Sequence, residues 1–241
     1  MKIFVIGFNK TGSTTLHEYF KQQGFKSFHG SPFDLDKYDV FSDGNISQIS
    51  KFKYFDQKFK DSKFILNVRD FRSWCISRFC HGFCNAPRSK NFLFNYFLKK
   101  LNFSNPILNS APNWAFPARP EMVVAWAFIR SNHHKSVLDY FLSDPNLSEN
   151  FICVDINKTG WLEFTSERLK LPLLDDKIYT NVTRKSRAIK KYKLLVEEII
   201  EKGLNQLSHA DPEMHTNLLS NSIGLKNKRF NDLKKNSNFY I

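Results

Sequence analysis

The residues best suited to chemistry stand together near the start of the chain, in Gly7-Phe8-Asn9-Lys10-Thr11-Gly12-Ser13-Thr14-Thr15. The apolar run Ile3–Ile6 precedes them and a helical pattern follows. Two glycines bracketing a cation at a strand-to-helix turn can surround an anion, with backbone N–H groups and the positive end of a helix as donors. Gly7 and Gly12 have the spacing of a GxxxxGK[ST] nucleotide loop. Ser13, however, follows Gly12 where such a loop carries lysine, so the cation Lys10 would reach a phosphate from another side. The bland alternative is an ordinary glycine-rich turn with an exposed lysine. The run from Lys10 to Thr15 is hard to explain by packing.

A second polar group follows the apolar run Lys63–Val68. Arg69 would lie at a strand's carboxyl end, and Ser77 about two turns along the helix that starts near Phe71. Parallel sheets bind ligands in that crevice, where an arginine fork and a hydroxyl can share one anion. Arg69-Asp70 could equally be a structural ion pair. His29, closing a short second strand, titrates in a range useful to a base. It could also be a hydrogen-bonded loop histidine, and Asp43 could be a helix N-cap before Ile46–Phe55.

The elements that must position these groups alternate. Strands are predicted at Ile3–Ile6, Phe25–Phe28, Lys63–Val68 and Phe151–Val154. Helices are predicted over Thr14–Gln23, through Trp74 to Phe79, from Pro120 to Phe141, over Trp161–Leu169 and over Ala188–Leu207. This predicts an α/β fold: a P-loop NTPase-like three-layer architecture, its central sheet mostly parallel with helices on both faces. One domain spans 1–241. Residues 85–119, with four prolines and no periodicity, suggest an insertion or lid, and a basic tail begins at about 208.

Length and composition agree with one globular unit. The chain has 241 residues, 41% hydrophobic and 24% charged, a balance that excludes disorder, collagen and coiled coil. No membrane span and no signal peptide are expected, and four cysteines give no disulfide scaffold. The expected location is cytoplasmic. Cys75, Cys80, His81 and Cys84 lack a second ligand pair, so no metal is expected. The net charge of +13 attracts anions, or simply records lysines spread over the surface.

Lys10-Thr11-Gly12-Ser13-Thr14-Thr15 resembles the 5′-phosphosulfate loop of sulfotransferases, and Arg69 with Ser77 resembles their 3′-phosphate-binding strand and helix. FVIGFNKTGSTTLHEYF, Tyr38 to Asp43, FILNVRDFRSW, Val154-Asp155-Ile156 with Gly160-Trp161, and Asn181-Val182-Thr183 extend the resemblance over roughly 2–185. Phe71 stands where proline is common, and Ser13 where threonine is. The resemblance implies 3′-phosphoadenosine 5′-phosphosulfate (PAPS) as donor, adenosine 3′,5′-bisphosphate (PAP) as product, and no metal. It implies that Lys10 stabilises the leaving oxygen while Thr11 to Thr15 hold the 5′ end. Arg69 and Ser77 would hold the 3′-phosphate, and Arg184 could approach it from the C-terminal side. His29 and Asp43 each occupy a place where relatives carry a catalytic or acidic side chain, and they stand as rival bases. The acceptor could be a small molecule, lipid or glycan; no nucleic acid is expected. The alternatives are a P-loop small-molecule or nucleoside kinase and a non-catalytic nucleotide- or polyanion-binding module.

Overall fold

Strands that are apolar along their whole length, rather than alternating, belong in the middle of a covered parallel sheet. The computed structural model shows this arrangement. It describes residues 1–31, 34–43, 51–85, 119–174 and 187–241, with the side chains of 81–85 and 187–193 outside that description. The first half runs β1 (Ile3–Val5), α1 (Ser13–Gln22), β2 (Ser27–His29), β3 (Val40–Ser42), α2 (Lys51–Lys58), β4 (Lys63–Val68) and α3 (Phe71–Asn85). The second half runs α4 (Pro120–Phe141), α5 (Pro145–Glu149), β5 (Phe151–Asp155), α6 (Trp161–Leu169), α7 (Arg187–Ala210), α8 (Pro212–Ser220), α9 (Asn227–Lys234) and β6 (Phe239–Tyr240).

All six strands are parallel, in the order β2-β3-β1-β4-β5-β6. Residues of β1 pair on both sides, Val5 with Ser42 of β3 and with Ile65 of β4. The chain leaves β1 toward one edge and returns to cross to the other, so the order reverses at β1. The crevice outside its carboxyl end is where such sheets take ligands.

Alternate residues of each strand face opposite layers. Phe4, Phe41, Phe64, Leu66 and Phe151 join Phe52 of α2, Phe141 of α4 and Phe230 of α9 in one core. Phe4 stacks on Phe55 with ring centroids 4.6 Å apart. Ile3, Val5, Val40, Ile65 and Val154 meet Leu16, Tyr19 and Phe20 of α1 and Trp161 of α6. A third cluster joins α3, α4 and α7 through Trp74, Phe79, Trp126, Val196 and Ile200. The three-layer, P-loop NTPase-like arrangement expected from the sequence is therefore present.

Two features depart from the sequence reading. β3 and β6 were not predicted, because three- and two-residue strands carry too little pattern of their own. Nor is the region past 208 a solvated basic tail. Asp211 caps α8, accepting the Met214 N–H at 2.8 Å, and Phe230, Leu233, Phe239 and Ile241 are buried. Its lysines are exposed, as expected, and two of its cations form surface pairs, Lys226 with Glu213 and Arg229 with Asp139. No helix among the described residues is long and apolar enough to cross a membrane. Most of the expected insertion, residues 86–118, lies outside the described residues.

Candidate anion-binding site

The turn from β1 into α1 is held by donors from three other places and by one of its own hydroxyls. The Ile6 carbonyl accepts from His133 Nε2 at 2.8 Å, and the Phe8 carbonyl accepts from the Thr11 hydroxyl. The Asn9 carbonyl takes the Trp74 indole N–H at 2.8 Å, and the Lys10 carbonyl takes Arg69 Nη1 at 3.2 Å. Four acceptors are thus turned into the protein, which suits a loop that offers N–H groups to an anion.

Asn67 fastens the same loop from β4. Its Oδ1 accepts the Gly7 N–H at 3.1 Å, and its Nδ2 donates to Thr11 Oγ1 at 2.6 Å. The side chain is wholly buried, so either bond lost would leave a costly unsatisfied group. Gly7 is required because a Cβ there would collide with the Asn67 backbone and amide. Gly12 caps α1 at φ 102°, where a Cβ would run into the Ile156 side chain. With no side chain at the cap, the first-turn N–H groups of α1 are open to an outside acceptor.

Lys10, half-buried, has the left-handed φ of 67°. Thr11, Ser13 and Thr15 are buried, whereas Thr14 is half-exposed and points across the crevice. Its Oγ1 lies 3.2 Å from His29 Nε2. His29 Nδ1 lies 3.0 Å from Ser42 Oγ, which in turn donates to the Phe28 carbonyl at 3.5 Å. The imidazole is thus held between two hydroxyls, that of Ser42 at Nδ1 and that of Thr14 at Nε2. Asp43 Oδ2 lies 3.5 Å from the same Nε2, placed to pair with the ring once it is protonated. The two expected rivals are therefore neighbours, not alternatives at separate places.

Arg69 leaves β4 directly beside Lys10, and its buried Nε has no hydrogen-bond partner among the described residues. Asp70 does not simply pair with it: its Oδ1 accepts the Ser73 N–H at 2.8 Å and caps α3. Ser77 is half-buried on α3, and among the described residues no hydrogen bond joins it to Arg69 or the loop. Arg184 lies outside the described residues.

Several supporting residues escaped the sequence reading. Arg130 of α4 is completely buried, and its Nη2 donates to the Arg69 carbonyl and, at 2.6 Å, to that of Ser222. It therefore fixes the exit of β4 from beneath, while burial draws its guanidinium down to about 10. Arg78 of α3 is buried against Trp74 and Trp126. A lone amide in KFILNV was the available signal for Asn67. Nothing local marked the two arginines. Cys75 and Cys153 are buried thiols, pushed up by burial, Cys75 to about 12. No group of ligating side chains that could hold a metal ion occurs among the described residues.

His133 makes the site acid-sensitive. Burial holds its imidazole down at about 4, against an ordinary value of 6.5. Below pH 6.5 the unfolded chain takes up a proton that the folded chain refuses, so stability falls as pH drops from 6.5 toward 4. From His133 alone the loss at pH 4.5 is about 2 kcal/mol relative to pH 7. Urea titrations at the two pH values should show this loss, reduced in His133→Gln; equal losses in both proteins would contradict it.

No protein family, curated protein or solved structure matches the chain.

Proposed function

We propose that this chain is a sulfotransferase that moves a sulfuryl group from PAPS to a hydroxyl or amine of an acceptor. The observation that carries the reading is the loop whose four carbonyls are tied back by hydrogen bonds, leading into a helix, α1, that has no side-chain cap at Gly12. The donor brings an activated sulfuryl group joined to a 5′-phosphate. The uncapped N–H groups of α1 and the hydroxyl of Thr14 would hold the phosphosulfate end, and Arg69 the 3′-phosphate. The buried, unpartnered Nε of Arg69 is a donor suited to such an acceptor. Lys10 supplies positive charge where the leaving oxygen becomes negative.

His29 supports the base role through its network. Its Nε2 lone pair can take the proton of an incoming hydroxyl, and the imidazolium so formed is stabilised by Asp43 at 3.5 Å. Asp43 is a positioning and charge-balancing residue in this account.

The kinase alternative has less support. No lysine follows Gly12, and Asp155 Oδ1 is already occupied by the Asn157 backbone and side-chain N–H groups at 3.0 and 2.9 Å. Thermal denaturation tests the choice. PAP is expected to raise the unfolding midpoint by several degrees, and ATP with Mg²⁺ by little. A larger shift with ATP–Mg²⁺ than with PAP would favour the kinase. A general, steeply salt-dependent affinity for polyanions without any response to PAP would favour the binding module.

A further inference from the structure

Arg78 is an arginine with nowhere to spend its donors. It is 9% exposed, yet no hydrogen bond or ion pair engages its guanidinium among the described residues. It is held instead by π-faces, 4.9 Å from the Trp74 ring and 4.4 Å from that of Trp126. Stacking of this kind fixes the plane of a guanidinium while leaving its edge, where all the N–H groups are, unused. The nitrogens are not sealed from solvent, for none is among the wholly buried unpaired atoms.

Trp74 donates its indole N–H to the Asn9 carbonyl, so Arg78, stacked on the same indole, is separated from the anion loop by one ring. The charged guanidinium is also favoured by the carboxylate of Asp43, against the pull of burial. The Cys75 thiol, one turn earlier on α3, is neutral at ordinary pH.

We infer that Arg78 forms a second anion subsite, separate from the phosphate cradle and one indole away from the loop, that takes a tetrahedral oxyanion. The inference deepens the proposed function, and two sources could supply the oxyanion: the sulfuryl group of the donor, or an acidic group on the acceptor. Arginine presents paired N–H groups that match two oxygens of such a group.

Phenylglyoxal modification of the full-length chain, mapped residue by residue by mass spectrometry, tests it. Inorganic sulfate should slow modification of Arg78 about tenfold relative to chloride at equal ionic strength, leaving exposed Arg229 unaffected. Failure of sulfate to protect overturns the subsite. So does an Arg78 that never reacts without sulfate, which would make it a sealed structural cation. If PAPS protects and PAP does not, the sulfuryl group is the source. If free sulfate protects in the presence of bound PAPS and PAPS alone does not, the source is the acceptor. A protein that binds no PAP but keeps sulfate protection at Arg78 would lose the sulfotransferase reading and retain the subsite.

Discussion

Under the proposed reaction, Lys10→Ala is expected to lower the rate at which PAPS is converted to PAP by about 10³-fold, while the dissociation constant of PAP stays within about tenfold of wild type. The separation between rate and affinity is the point of the prediction. Lysine and alanine suffer alike from a φ of 67°, so the substitution adds no backbone strain. The Lys10 carbonyl, which receives Arg69, remains in place. Asn67, Trp74 and His133 still hold the rest of the loop. What disappears is a charge that matters most when the leaving oxygen becomes anionic, and this removes stabilisation of the transition state more than of the bound nucleotide. Single-turnover chromatography of the nucleotides and calorimetry with PAP measure the two quantities. A variant that turns over at the wild-type rate, or one that loses rate and PAP affinity by the same factor, contradicts the role given to Lys10.

The second large effect concerns the base. His29→Ala is expected to lower turnover by about 10²- to 10⁴-fold and to flatten the rising limb of the pH–rate profile. Asp43→Asn should cost about tenfold and leave that limb in place, because a carboxylate 3.5 Å from Nε2 acts through the ring. The geometry gives this ordering its basis: Nε2 faces both Thr14 and Asp43, so a proton taken up there lies beside the carboxylate. Ser42→Ala removes the hydroxyl that orients the ring at Nδ1 and should fall between the two. If Asp43→Asn abolishes the limb while His29→Ala preserves it, the carboxylate is the base.

Much of this geometry was legible before any coordinates. Lys63–Val68 was expected as a strand from its unbroken apolar character and occurs with those bounds, and Trp161–Leu169 was likewise expected as a helix. Lys10 and Arg69 could be paired in advance because each follows a buried strand, and strands of one parallel sheet end on one side. The neighbourhood of His29 and Asp43 was not legible, since it depends on β2 and β3 being adjacent with His29 opposite Ser42. β3 is three residues long and gains its strand character from the partners on each side. The folded C-terminal region failed for a related reason. Phe230, Leu233 and Phe239 are scattered among lysines and asparagines, and only the core they enter shows which face is buried. Arg78 illustrates the same limit: Trp74 one turn earlier is visible in sequence, but Trp126 comes from a distant helix.

In the proposed complex one crevice would grip a nucleotide at two ends, by the α1 loop at the 5′ side and by Arg69 at the 3′ side. Comparison of PAP with adenosine 5′-monophosphate by isothermal calorimetry tests it most directly, since the two differ only in the 3′-phosphate. The account predicts that wild type prefers PAP by about 10²-fold, and that Arg69→Ala reduces the preference to near unity. Equal affinity for the two nucleotides in wild type, or a preference that survives unchanged without the Arg69 guanidinium, would contradict it.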